Sequence, residues 1–148
     1  METLIAEKKL AADASRERIW DLLGTLIFDS LEGLEKMEII DENNFRAELK
    51  AKAFGFPLTW HLKGEMTDIY PPETLSVRLT AKSKGSLITV VQKITFSLDD
   101  AGEGQTTMVC RAVAENLAPY LRWVFLGQVK TLAQQIFDSM AERLKQLV

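Results

Sequence analysis

The chain has 148 residues, with 18 Lys and Arg against 21 Asp and Glu and a formal net charge of −3. That length fits one domain with its own core, and the charge gives no overall attraction to nucleic acid or anionic lipid. The single cysteine, Cys110, excludes an intramolecular disulfide; with no signal-peptide pattern in the first residues, a reducing cytoplasmic location is expected. No apolar run reaches the roughly 20 residues needed to cross a bilayer, because Arg122 and Lys130 interrupt the most apolar region, so no transmembrane segment is expected.

Residues 3–10 mix apolar and charged side chains with a period of two and predict a first strand, with Leu4, Ala6 and Leu10 on one side. Ser15 is placed to cap a short helix carrying Ile19, Leu22 and Leu23 on one face, with Trp20 at its flank and Gly24 as its end. Residues 25–33 predict a second short helix, with Leu26, Ile27, Leu31 and Leu34 apolar and Gly33 as its stop.

From Glu35 onward turn sequences arrive at strand spacing: Asp41-Glu42-Asn43-Asn44, Gly55-Phe56-Pro57, Pro71-Pro72-Glu73, Ser83-Lys84-Gly85 and Asp99 to Gly104. The six strands between them leave no room for crossover helices, so neighbours should pair antiparallel as a meander. The clearest is Phe45–Ala53, apolar at every odd position and charged at every even one, a segment with one face in water and one against a core. Leu58, Trp60, Leu62 and Met66 then share a face, as do Leu75, Val77, Leu79 and Ala81, and again Ile88, Val90, Ile94, Phe96 and Leu98. In the last strand Met108, Cys110, Ala112 and Ala114 oppose Arg111 and Glu115.

Pro119 suits the first turn of a closing helix that runs to about Leu147, roughly 43 Å at 1.5 Å per residue. Leu121, Phe125, Leu132, Ile136, Met140, Arg143 and Leu147 fall near one stripe, widened by Val129 and Leu144.

Chemistry-bearing residues are few. His61 is the one histidine, and strand parity sets it on the outer face with Lys63 and Glu65, a solvated position. No second histidine, cysteine pair or spaced carboxylate cluster offers a metal site, and no cofactor is implied. Cys110 reads as a buried, inert thiol, because nothing near it in sequence would stabilise a thiolate. The alanines beside it either let the closing helix pack closely or leave volume unfilled. Gln92 is the polar residue on an otherwise apolar inward face, so its amide is satisfied by backbone or water, or it orients the polar end of a ligand. Tyr120, Leu121, Trp123, Val124, Phe125 and Leu126 are apolar almost all around the helix. They need a second partner: the short helices, a cavity mouth, a dimer mate or a membrane surface. Phe54 and Phe56 form either a similar lip or a turn folded onto the core, and Gly102-Glu103-Gly104 is a hairpin turn without the lysine and helix of a phosphate loop.

The order β-α-α-β6-α, with a long last helix gripped by an antiparallel sheet, resembles the α+β helix-grip fold of the START-like, Bet v1-like or SRPBCC superfamily, which includes polyketide cyclase-like proteins. The segment Ala14-Ser15-Arg16-Glu17-Arg18-Ile19-Trp20-Asp21-Leu22-Leu23 is similar to that superfamily's first helix. Leu31-Glu32-Gly33-Leu34-Glu35, with Glu32 in place of a proline, resembles the Leu-Pro-Gly turn of the family named for the G subunit of carbon monoxide dehydrogenase, as do Gly55, Pro57 and Gly64 and the Gly104-Gln105-Thr106-Thr107 strand opening. Asn116-Leu117-Ala118-Pro119 stands where that family has glycines, and the extension some members use to reach a membrane is not seen, so membrane anchoring of a partner enzyme is not expected.

The resemblance implies a single ligand-binding domain over residues 1–148, with a cavity for a lipid, quinone or polyketide-like molecule between sheet and closing helix. The candidate contacts are Phe54, Phe56, Trp60, Leu62 and Met66, then Leu79, Val90 and Gln92, then Met108, Cys110 and Ala112, with Trp123 and Phe125 from the helix. Such a protein needs no catalytic residue and would act as carrier, sensor or accessory subunit. The alternatives are a cyclase or aromatase, which needs an inward acid or base, and a subunit-interaction module, with a homodimer mate or an oxidoreductase as partner.

Overall fold

Alternating apolar and polar side chains suit a strand with one face buried, and that pattern shapes most of the seven strands here. In a computed structural model the order is β1 (Glu2–Ala12), α1 (Arg16–Asp29), β2 (Leu34–Asp41), β3 (Asn44–Ala53), β4 (Phe56–Tyr70), β5 (Thr74–Ser83), β6 (Thr89–Gly102), β7 (Gln105–Glu115) and α2 (Pro119–Leu147). The structure describes residues 2–30, 33–53, 56–84, 89–115 and 119–148, without the side chains of 2, 51–53, 56–58, 119–126, 128 and 132. The strands form one sheet in the order β1-β7-β6-β5-β4-β3-β2, every pair antiparallel. From β2 to β7 it is a meander, and β1 is added against β7.

The element order differs from the expected one in a single respect: one helix replaces two. Ser15 caps it, its Oγ accepting from the Arg18 backbone N–H at 3.3 Å. The helix then runs through Gly24 to Asp29, and the Ser30 hydroxyl donates to the Leu26 carbonyl at 2.6 Å. A helix-interior glycine costs only about 1 kcal/mol relative to alanine, less than the burial of Ile19 and Leu23 on one side of Gly24 and Leu26 on the other returns. Leu31 lies outside the described residues, and Leu34 opens β2. Gly33 is a turn residue: its φ is +81°, its carbonyl accepts from the Lys50 N–H at 3.0 Å, and a Cβ there would strike the Lys50 carbonyl.

The first strand also departs from strict alternation. The register slips between Leu4 and Ala6, so β1 carries one residue more than β7 there. Parity therefore changes: Ile5 joins Ala6 and Leu10 in the core, and Leu4, expected inward, is 45% exposed. At the opposite edge β2 is exposed along nearly its whole length, with Ile39 71% accessible. Lys36 there has φ +48° and lies within a register slip between Glu35 and Glu38, and a second slip follows between Ile39 and Asp41, which takes the strand out of regular pairing.

The interior falls into two clusters. One joins β1, β6 and β7 to both helices through Ile5, Leu10, Ile19, Leu23, Phe96, Leu98, Met108, Phe137, Met140 and their neighbours. The other lies on β3, β4 and β5: Phe45, Ala47, Leu49, Leu62, Val77 and Leu79. The span of α2 is as expected, and Ile136, Met140 and Leu144 turn inward as expected; the side chains of Leu121, Phe125 and Leu132 lie outside those described, and the buried face is widened toward Ala133 and Phe137. Ala133, Phe137, Met140 and Leu144 are buried, whereas Arg143 and Leu147 are exposed. At 3.6 residues per turn Ala133 and Phe137 lie beside the expected stripe. An ion pair from Lys8 on β1 to Asp138, and a 3.0 Å hydrogen bond from Arg18 Nη2 to the Leu147 carbonyl, tie α2 to the first two elements.

In the second cluster Phe45 stands opposite Gly64 across the β3–β4 ladder. The ring lies over the glycine so closely that a Cβ there would overlap it, and it meets Phe28 of α1 edge-on, ring centroids 5.2 Å apart. Gly64→Ala should therefore displace the Phe45 ring and cost about 1–3 kcal/mol in a denaturant titration. Methyl and aromatic NMR shifts of the Phe28–Phe45 contact should change with it; an unchanged ring environment would refute the overlap.

Candidate ligand-binding cavity

Between the two clusters lies a cavity of about 150 Å³. Its walls follow from the two periodicities of the chain. Each strand supplies alternate residues: Phe45 and Leu49 from β3, Trp60, Leu62 and Met66 from β4, Leu75, Val77, Leu79 and Ala81 from β5, and Val90, Gln92, Ile94 and Phe96 from β6. Ala112 of β7 adds one contact. The helices supply residues spaced by three and four: Gly24, Ile27 and Phe28 from α1, and Val129, Ala133, Ile136, Phe137 and Met140 from α2.

Seven of the expected contact residues therefore surround one space: Trp60, Leu62, Met66, Leu79, Val90, Gln92 and Ala112. Met108 and Cys110 are elsewhere, fully buried in the cluster that joins β7 to β1 and the helices. Phe54, and the side chains of Phe56, Trp123 and Phe125, lie outside the described residues. The two readings of the small residues of β7 hold at different positions, since Ala114 packs into the core and Ala112 borders the cavity. Gly24, expected to stop a helix, instead faces the same space with nothing within 4 Å of where its Cβ would be. The α1 and α2 residues are legible in principle from helical phase, once α1 is taken as one helix.

Gln92 is flanked in the ladder by Leu79 and Ala114. Its carboxamide, with the indole N–H of Trp60, supplies the polar atoms of the described lining's side chains; Gln92 is half-buried, and no described residue hydrogen-bonds to its carboxamide. Charged groups sit on the other face. His61 is exposed with Nδ1 3.8 Å from Glu48, and Lys93 pairs with Asp68 at 3.1 Å, holding that carboxyl below its usual range chiefly through the hydrogen bond. The described lining contains no Tyr, His, Asp, Glu, Lys or Arg, and among the described residues no three potential metal ligands come together. No helix of the described chain is long and apolar enough to cross a membrane.

No family model and no curated protein matches the sequence, but solved structures match nearly its full length. A conserved protein from Geobacillus kaustophilus superposes with a TM-score of 0.72 at 16% identity, over 95% of this chain and 94% of the other. The Zhui aromatase/cyclase from Streptomyces sp. R1128 gives 0.68 at 13% identity, over 99% and 95%. A START superfamily protein from Mycobacterium smegmatis gives 0.64 at 14% identity, over 99% and 100%. The chain has the START-like helix-grip fold. At these identities the likeness speaks for the fold alone, and the narrower resemblance to the G subunit of carbon monoxide dehydrogenase has no family model behind it. In this START-like chain the space between sheet and α2 is lined almost wholly by carbon.

Burial fixes the state of the nearby thiol. Cys110 is pushed up from the usual 9.0 to about 12, mainly by desolvation, with Lys8 opposing weakly. Between those two values the native chain keeps a proton that the unfolded chain releases, so stability should fall as pH rises above about 9. Cys110→Ala should flatten that loss, measured as the urea midpoint against pH. Native protein at pH 8 should leave Ellman's reagent unreacted until urea unfolds it; prompt labelling would overturn the assignment.

Proposed function

We propose that the protein binds a hydrophobic small molecule in the cavity between the sheet and α2 and does not transform it, serving as a carrier, sensor or accessory subunit. The observation that supports this reading best is the lining itself: side chains from five strands and two helices converge on one space, apolar but for the Gln92 carboxamide and the Trp60 indole N–H, with no acid or base among those described. A general acid or base must reach its substrate's proton, directly or through one water. The exposed His61, on the outer face of β4, does not meet that condition for a molecule inside. The cyclase reading therefore has less support than the carrier reading, although the Zhui aromatase/cyclase has the same fold. The buried free cysteine suits a reducing compartment, which supports a cytoplasmic location.

Affinity would come from burial. A ligand hiding about 200 Å² of apolar surface gains about 5 kcal/mol before the costs of association. Organic extraction of freshly purified protein, with native mass spectrometry of the same preparation, should reveal an apolar compound at about one per chain. Protein that arrives folded and empty, and that also shows no binding heat with propylbenzene, would count against the reading.

A further inference from the structure

Three features of the cavity restrict its occupant. Its volume of about 150 Å³ matches that of an apolar cavity that stays dry and takes up benzene. The space thus suits a molecule the size of one ring with a short substituent, and is too small to hold a long acyl chain. No charged side chain lines its described walls, so an ionised ligand would enter without a counter-charge, and desolvation would outweigh what burial of one ring returns. The Gln92 carboxamide offers both a donor and an acceptor and has no described partner.

Gly24 adds a fourth observation. Glycine inside a helix is usually explained by a left-handed backbone or by a neighbour too close for a Cβ. Neither applies here: Gly24 lies within α1 without a positive φ, and nothing is within 4 Å of its Cβ position. Alanine would favour the helix. What the missing side chain contributes is volume, on the cavity side.

Building on the binding function proposed above, we infer that the cavity selects an uncharged molecule, no larger than one ring with a short substituent, bearing one hydroxyl or carbonyl group that Gln92 hydrogen-bonds, with Gly24 giving it room. Titration calorimetry with 4-propylphenol, propylbenzene, 4-propylbenzoate and palmitate tests each element. The phenol should bind about fivefold to tenfold tighter than propylbenzene, the value of one neutral hydrogen bond, and neither carboxylate should bind measurably. Gln92→Leu should bring the phenol and propylbenzene to equal affinity while both still bind. Gly24→Ala should raise the thermal midpoint yet weaken the phenol severalfold, whereas a glycine serving only the helix would show the first change without the second. Equal binding of phenol and propylbenzene by the unaltered protein, or tighter binding of palmitate or the benzoate, overturns this inference and leaves the apolar cavity as a binding site. If none of the four binds to folded protein, the inference and the proposed function fall together.

Discussion

One helix cannot cover seven strands. At about 4.8 Å between neighbours the sheet is roughly 29 Å across, while a helix with its side chains is about 10 Å wide. Here α2 is committed to one side. Phe137, Met140 and Leu144 pack with β1, β6 and β7, and Lys8 fastens Asp138 to the edge strand. The β3–β5 face gathers its own apolar side chains, with Phe28 from α1 packed against them. Two clusters result where one would be usual. The cavity occupies the seam between them, and Ile94 touches both.

The seam stays open because of what the chain omits. Gly24, Ala81, Ala112 and Ala133 all face it, and a bulkier residue at any of them would take up space. At about 24 cal/mol per Å³ a void of this size forgoes about 4 kcal/mol of packing when empty. That is a large share of the stability of an ordinary domain. A ligand that fills the void recovers part of this loss, which couples occupancy to stability. Among the residues that line the space Phe45 and Phe28 hold each other, and the Phe45 ring can lie where it does only because position 64 has no side chain.

What the sequence revealed, and what it hid, divides along physical lines. Among the described side chains, period-two alternation marked the inward faces of β3 to β7 because the two faces of each strand meet contrasting surroundings, and Pro119 marked the start of α2; Leu58 and Ile88 lie outside those described. The bulge at Leu4–Ala6 was invisible, since both Leu4 and Ile5 are apolar and composition cannot say which is turned in. Gly24 misled for the opposite reason: its local preference is to break a helix, and tertiary packing overrode it. For α2 the apolar residues are abundant enough to define several stripes, so the phase that buries Phe137 depended on the sheet it meets. Along the candidate cavity, strand parity turned Trp60, Leu62, Met66, Leu79, Val90 and Gln92 inward. It could not separate Met108 and Cys110 from Ala112, because whether an inward residue meets a helix or a void is decided by the position of α2.

The β1–β7 pairing has a consequence for the order of assembly. Every other ladder joins strands adjacent in sequence, so each hairpin can close over a short loop. In the remaining ladder Leu10 must find Met108 and Glu2 must find Glu115, a closure across most of the chain whose entropic cost precedes any reward. The larger core cluster needs β1 from one end and α2 from the other. On a ribosome the meander can form as it emerges, but Phe96, Leu98 and Met108 must wait for α2 to be made before they are covered.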